Sequence, residues 1–196
     1  MKEIWQQKLD FLMELDKMKS VYRRTLVADG SRRETDAEHS WHVAVMAMSL
    51  LDQTPLRGLD GARIVRMLLV HDLVEVYAGD TFAYDEAGYA DKAQREQAAA
   101  DRLFALLPSQ EGAEYRALWE EFDAMQTPDA QFAAAIDRLQ PFLNNMRTQG
   151  HTWEHGKVRR AQVERRLQPV TQVFPQMEPM LRRQLDEAVQ AGWLGA

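Results

Sequence analysis

The sequence contains no cysteine. Disulfides, thiolate metal sites and a cysteine nucleophile are therefore excluded, and the chain suits a reducing compartment. No apolar run approaches the ~20 residues that a membrane-spanning helix requires. The opening stretch MKEIWQQKLDFLMELDK scatters charges among its apolar positions, unlike a signal peptide. These absences predict a soluble, cytoplasmic protein with no membrane partner. Positive charge is in deficit, with a net charge of −6, which argues against binding nucleic-acid polymers. Alternating apolar–polar runs long enough for a strand are missing, as are internal repeats and low-complexity segments. A length of 196 residues predicts one domain over residues 1–196, able to bury well over half of its unfolded surface.

What remains is helical periodicity. Ile4, Trp5, Leu9, Leu12 and Leu15 form a one-sided stripe over residues 3–19. A polar loop with Asp29-Gly30 follows. Thr35 and Glu38 have capping-box spacing and predict a second helix running to about residue 52. Pro55 and Gly58 precede a third helix, about 60–78, which Gly79 ends. Further helices are expected at about 90–107, around Tyr115 to Phe122, from Thr127-Pro128-Asp129 to about 146, at 157–173 and at 177–191. The expected fold is all-α, a compact bundle of about seven to eight helices.

Chemistry enters at RMLLVHDLVEVYAGD, residues 66–80. This third helix is apolar nearly all round (Ile64, Val65, Met67, Leu68, Leu69, Val70, Leu73, Val74, Val76), which predicts a core position. Yet His71 and Asp72 sit in its middle, Glu75 shares their face, and Asp80 follows just beyond Gly79. Buried carboxylates are costly unless they are paired or bind a metal, and a divalent cation is the economical counter-charge. On the second helix, His39 heads the stripe Val43, Met46, Ala47, Leu50, while His42 heads a rotated stripe, so either could reach a metal. A distant contributor is Asp137 in AAAIDRLQPFLNN, beside the stripe Phe132, Ile136, Leu139, Leu143. Lys17, Lys19, Arg23, Arg24, Arg32 and Arg33 crowd one region, a solvated face or a local anion site.

Taken in order, AEHSWHVAVMA, VHDLVEVYAGD and AIDRLQPFLNN resemble the HD-domain metal-dependent phosphohydrolase superfamily, over roughly residues 5–165. The chain looks most like the bacterial 5′-deoxynucleotidase branch, whose members remove phosphate from deoxyribonucleoside 5′-monophosphates. The resemblance implies His39, His71, Asp72 and Asp137 as metal ligands, Glu75 and Asp80 as catalytic acids, and a homodimer. The branch carries an Arg-Trp pair before the first ligand. Here that segment reads DKMKSVYRRTLVADGSRRE without a tryptophan, which leaves Lys19 and Arg23 as the substrate-binding candidates, with Arg32 and Arg33 behind them. Trp153 or His155 in HTWEHG could supply replacement contacts.

Two imidazoles and two carboxylates suit one divalent transition ion, Mn, Co, Zn, Fe or Ni, rather than Ca. The expected chemistry is in-line attack on the phosphorus of a nucleoside 5′-monophosphate, or another small phosphoester, by a hydroxide that the ion generates. Glu75 or Asp80 would then serve the leaving oxygen. Alternatives are an HD phosphodiesterase or alarmone hydrolase, or a degenerate HD module with a structural metal and a binding role. A structural site, however, gains nothing from surplus carboxylates.

Overall fold

A computed structural model describes residues 3–196. Among these residues the chain runs through α1 (Ile4–Leu15), the strands β1 (Tyr22–Leu26) and β2 (Arg33–Thr35), α2 (Asp36–Leu50), α3 (Gly61–Val70) and α4 (Glu75–Ala78). It continues through α5 (Lys92–Phe104), α6 (Ser109–Ala124), α7 (Pro128–Arg147), α8 (His151–His155), α9 (Arg160–Val173) and α10 (Glu178–Gln190). Short 3₁₀ turns follow α1 and α2 and precede α10.

The longest helix, α7, organises the rest. Thr127 Oγ1 accepts the Ala130 N–H at its start, and Pro128 occupies the first helical position, where no N–H is missed. Ala130, Phe132, Ala133, Ala135, Ile136 and Leu139 are buried, and the alanines let neighbours approach closely. The helices α2, α3, α6 and α9 all pack on α7. Each large side chain buried there, such as Phe132 or Ile136, contributes about 1.5–3 kcal/mol. Pro141 lies inside the helix and offers no N–H to the Asp137 carbonyl.

The periodic helices fall close to their expected positions, with four differences. The helix expected at 60–78 stops at Val70 and resumes at Glu75. Across the gap the N–H groups of Leu73, Glu75 and Val76 bond back three residues, to Val70, Asp72 and Leu73. The helix thus tightens at the His71-Asp72 doublet, and Leu69 turns outward to 45% exposure. Second, a hairpin replaces the loop around Asp29-Gly30. Its strands are antiparallel, Tyr22 opposite Thr35 and Leu26 opposite Arg33, with an irregularity between. At five and three residues they are too short to show a period. Third, the stripe of α1 faces solvent, with Trp5 75% and Leu12 58% exposed. The helix docks instead through Phe11, whose ring meets Tyr115 edge-on at 5.4 Å. Fourth, α8 adds a short turn of helix that the sequence pattern does not signal.

The join between hairpin and α2 is held by a capping box. Thr35 Oγ1 accepts the Glu38 N–H at 3.3 Å, and Glu38 Oε2 accepts the Thr35 N–H at 3.0 Å. Removing one half, in Thr35→Ala, should cost about 1 kcal/mol of stability. A shift in the urea midpoint at unchanged slope would register it.

Candidate metal centre and its cleft

Four acceptor atoms converge where α2, the doublet turn and α7 meet. Gln140 Nε2 donates to Glu34 Oε1 at 2.7 Å, which turns the Gln140 oxygen toward His39 Nδ1 at 3.0 Å. An amide oxygen only accepts, so His39 carries its proton on Nδ1 and presents a lone pair at Nε2. His71 Nδ1 donates to the Leu68 carbonyl at 2.7 Å, and its Nε2 is buried with no hydrogen-bond partner. These two lone pairs face carboxylates. Asp137 Oδ1 lies 3.0 Å from His39 Nε2 and 3.6 Å from His71 Nε2. Asp72 Oδ2 lies 3.8 Å and 3.1 Å from the same two atoms.

Acceptors facing one another in a buried site repel unless a cation lies among them. A proton can play that role in part. Burial works against the His71 imidazolium, but Asp72 and Asp137 outweigh it and raise the group to about 10. Burial also works against the charged forms of Asp72 and Asp137, but His71 outweighs it at Asp72, and His39 and His71 do so at Asp137. Both carboxyls fall below the ordinary range. His39 moves down, through burial first and then the Arg23 charge. The two-nitrogen, two-oxygen donor set, with His71 Nε2 left without a hydrogen-bond partner, fits a divalent ion.

A second acidic group adjoins the first. Asp36, Glu75 and Asp80 bring carboxylate oxygens within 4.8 Å of one another, and Asp36 Oδ2 and Glu75 Oε2 are buried without partners. Burial, and then the charge of Asp72, pushes Asp36 up to about 7 and Glu75 well above the carboxylate range. Arg23 reaches both groups. Its Nη1 lies 2.9 Å from Asp72 Oδ2 and 3.5 Å from Asp36 Oδ1, and its Nε lies 3.8 Å from Glu34 Oε2. Burial would weaken its charge, but Asp72, Asp80 and Asp36 outweigh that and raise its pKa.

A cleft of about 240 Å³ opens from these groups. Its lining includes Arg24, Asp80, Phe82, Tyr84, Arg138 and Arg166. The loop after Gly79, which carries Asp80, Phe82 and Tyr84, is latched by Arg95. That guanidinium donates to the Ala78 carbonyl (2.7 Å), Thr81 Oγ1 (3.0 Å) and the Gly88 carbonyl (3.1 Å).

His39, His71, Asp72 and Asp137 thus lie together, Glu75 and Asp80 share their cleft, and Arg23 bridges them. Lys19 does not join them. It pairs with Asp16 on the surface, beside a shallow groove containing Tyr22, Arg32 and Trp41. Arg32 pairs with Glu38, and Arg33 clamps the hairpin by donating to the Arg23 and Tyr22 carbonyls. His42 meets Gln140 at 3.3 Å rather than the converging acceptors. Trp153 is buried on the cleft, while His155 donates to the His151 carbonyl on its own helix. Sequence reasoning missed Glu34, Asp36, Gln140, Arg138 and Arg166, while Arg24 stood only within the basic cluster. Helical spacing could have found two of them, since Asp36 precedes His39 by three residues and Gln140 follows Asp137 by three.

Comparison with known proteins matches residues 15–178 to the HD domain model. The chain is similar to 5′-deoxynucleotidase HDDC2 of Homo sapiens, 32% identical over 136 residues, covering 69% of this chain and 65% of that protein. The Xenopus laevis HDDC2 is likewise 32% identical, with 69% and 66% covered. The match therefore spans just under two thirds of the length of these curated relatives. Among solved structures, the chain is similar to a "Predicted metal-dependent phosphohydrolase from Magnetospirillum magnetotacticum". That protein is 47% identical with a TM-score of 0.92, covering 98% of this chain and 96% of that one.

Gln140 holds the His39 tautomer without touching the converging acceptor atoms other than through that ring. Gln140→Leu should leave the fold intact and weaken divalent-ion binding about 10–100-fold. Chelator competition on the variant and the parent protein measures the difference.

Proposed function

The chain belongs to the HD domain family, and from that premise we propose that it is a divalent-metal-dependent phosphomonoesterase releasing phosphate from nucleoside 5′-monophosphates. The observation that carries this reading is the convergence of two imidazole lone pairs on two carboxylates at the floor of a cleft walled by guanidinium groups. The 5′-deoxynucleotidase relatives supply the substrate class.

His39, His71, Asp72 and Asp137 would hold the ion. When bound, it supplies Lewis acidity, drawing charge from phosphate oxygens and lowering the pKa of a water. The protein's own residues do the rest. Arg23 neutralises part of the carboxylate group, lowering the repulsion that a phosphate dianion meets on entry. In the net reaction a water oxygen bonds to phosphorus, the bond from phosphorus to the ribose oxygen breaks, and that oxygen takes a proton. Glu75 and Asp80 line the cleft beside Asp72 and are read as the groups that donate or relay this proton. The latched loop bearing Asp80 keeps that carboxylate in place.

The same reading includes a homodimer, supported by the exposed apolar stripe of α1, where Trp5, Leu9 and Leu12 stand open to a second copy. Sedimentation should give a dimer mass that Trp5→Glu reduces, and a monomeric parent protein would refute the assembly.

The activity is tested with a metal-supplemented panel of nucleoside monophosphates, cyclic nucleotides and pyrophosphorylated nucleotides. Turnover of the 5′-monophosphates is expected, and turnover confined to the other classes would overturn the reading. Asp72→Ala should lose both metal and activity. Glu75→Gln should keep the metal by elemental analysis while kcat drops ~10²–10⁴-fold.

A further inference from the structure

The cleft holds more positive charge than its carboxylates engage. Arg23 is committed to Asp72, Asp36 and Glu34. Lys92 bonds Glu96 at 2.5 Å. Arg138 differs. Arg138, next to Asp137 on α7, has its Nε buried without a hydrogen-bond partner, and its Nη2 meets only the sulfur of Met125 at 3.0 Å. A thioether is a weak acceptor for a cation. Among the described residues, no carboxylate pairs with Arg138. Arg166, on α9, adds a second guanidinium. It touches Asp137 Oδ2 at 3.4 Å, the oxygen that faces away from the two histidines.

The backbone makes this arrangement at some cost. Met125 ends α6 in the left-handed region, with φ of 49°, a conformation that costs a non-glycine residue energy. That turn puts the Met125 sulfur against Arg138. A shallow surface groove shared by Arg138, Arg165 and Arg166 continues the cleft outward past Tyr84 and Tyr89. A guanidinium with no carboxylate partner, beside a second that shares only one oxygen of Asp137, is matched by an oxyanion, and the planar forks of Arg suit phosphate oxygens in particular.

We infer that Arg138 and Arg166 form a phosphate-binding subsite of the cleft, beside the ion-holding residues and distinct from Arg23. The inference rests on the phosphomonoesterase reading for its choice of ligand. The phosphate has two possible sources, the group being hydrolysed or a second phosphate on the same nucleotide.

The test is calorimetric titration of the metal-loaded full chain with inorganic phosphate, in the parent protein, Arg138→Gln and Arg138→Lys. Arg138→Gln should bind phosphate about tenfold more weakly or worse, the loss expected for one charge-assisted hydrogen bond. Metal content and melting temperature should stay unchanged. Arg138→Lys, which keeps the buried stem and the charge, should fall between the two and serves alone if the glutamine variant does not fold. Kinetics identify the source. A raised KM for a nucleoside 5′-monophosphate marks the hydrolysed group, and a raised KM confined to a nucleoside 3′,5′-bisphosphate marks the second phosphate. Parental phosphate affinity in the folded variants overturns the subsite. Arg138-dependent phosphate binding in a protein that hydrolyses no phosphomonoester would instead refute the proposed function and leave the subsite standing.

Discussion

Mutual repulsion among buried acceptors governs this structure. Asp36, Asp72, Glu75, Asp80 and Asp137 crowd a region that also holds the Nε2 lone pairs of His39 and His71. An apolar interior would expel such a group or force protons onto it. Three arrangements offset the repulsion here. Arg23 contributes a fixed charge at 2.9 Å from Asp72. Burial and neighbouring carboxylates raise the Glu75 pKa, and Asp72 raises that of His71 against burial, so either group can take up a proton when no other cation is near. The donor geometry leaves room for a divalent ion between two nitrogens and two oxygens. The fold can be read as scaffolding for this compensation. The buried alanine-rich face of α7 brings Asp137 within reach of α2 and α3, and the hairpin delivers Arg23 from outside the bundle.

The periphery of the centre is as ordered as its core. Glu34 fixes Gln140, Gln140 fixes the His39 tautomer, and the Leu68 carbonyl fixes that of His71. The two histidine links end on the Gln140 amide oxygen and the Leu68 carbonyl, which cannot donate, so each imidazole carries its proton on Nδ1 in these contacts. Such outer contacts set ligand orientation and basicity. They also explain why buried polar side chains such as Gln140 and Asn144, both bonded to Glu34, are tolerated on a helix otherwise lined with alanine and phenylalanine.

Much of this was legible in the sequence, and the illegible parts share a cause. Helix positions followed from apolar spacing and from caps whose chemistry is local, Thr35 with Glu38 and Thr127 with Pro128. His71 and Asp72 stood out because a histidine and a carboxylate on an apolar helix are costly without a partner, whereas the choice of His39 over His42, and of Asp137, came from the resemblance to the HD-domain superfamily. Arg138 and Arg166 carried no such mark, since a lone arginine on an amphipathic helix looks like any solvated residue. Only the packing of α7 against α9 shows them facing one cleft. The hairpin escaped because its strands are too short to show a period and its order comes in part from tertiary contacts, the Asn144 and Thr152 side chains donating to the Leu26 and Arg24 carbonyls. The stripe on α1 misled for the opposite reason. Periodicity reports that a face is apolar and not what covers it.

The tightened turn between α3 and α4 makes this segment a ruler. Regular α-helix turns each residue by about 100°, and the three-residue bonding at the doublet turns it by about 120°. The bearing of Asp72, Glu75 and Asp80 relative to Ile64 and Met67 in the core therefore depends on how many residues lie between them. One residue gained or lost there would swing every later carboxylate away from Asp137 by roughly a third of a turn. Side-chain identity is far freer at outward positions such as Leu69. A change of length in this stretch would therefore disturb the centre far more than a substitution, whereas the loop before Gly61 lies outside that geometry.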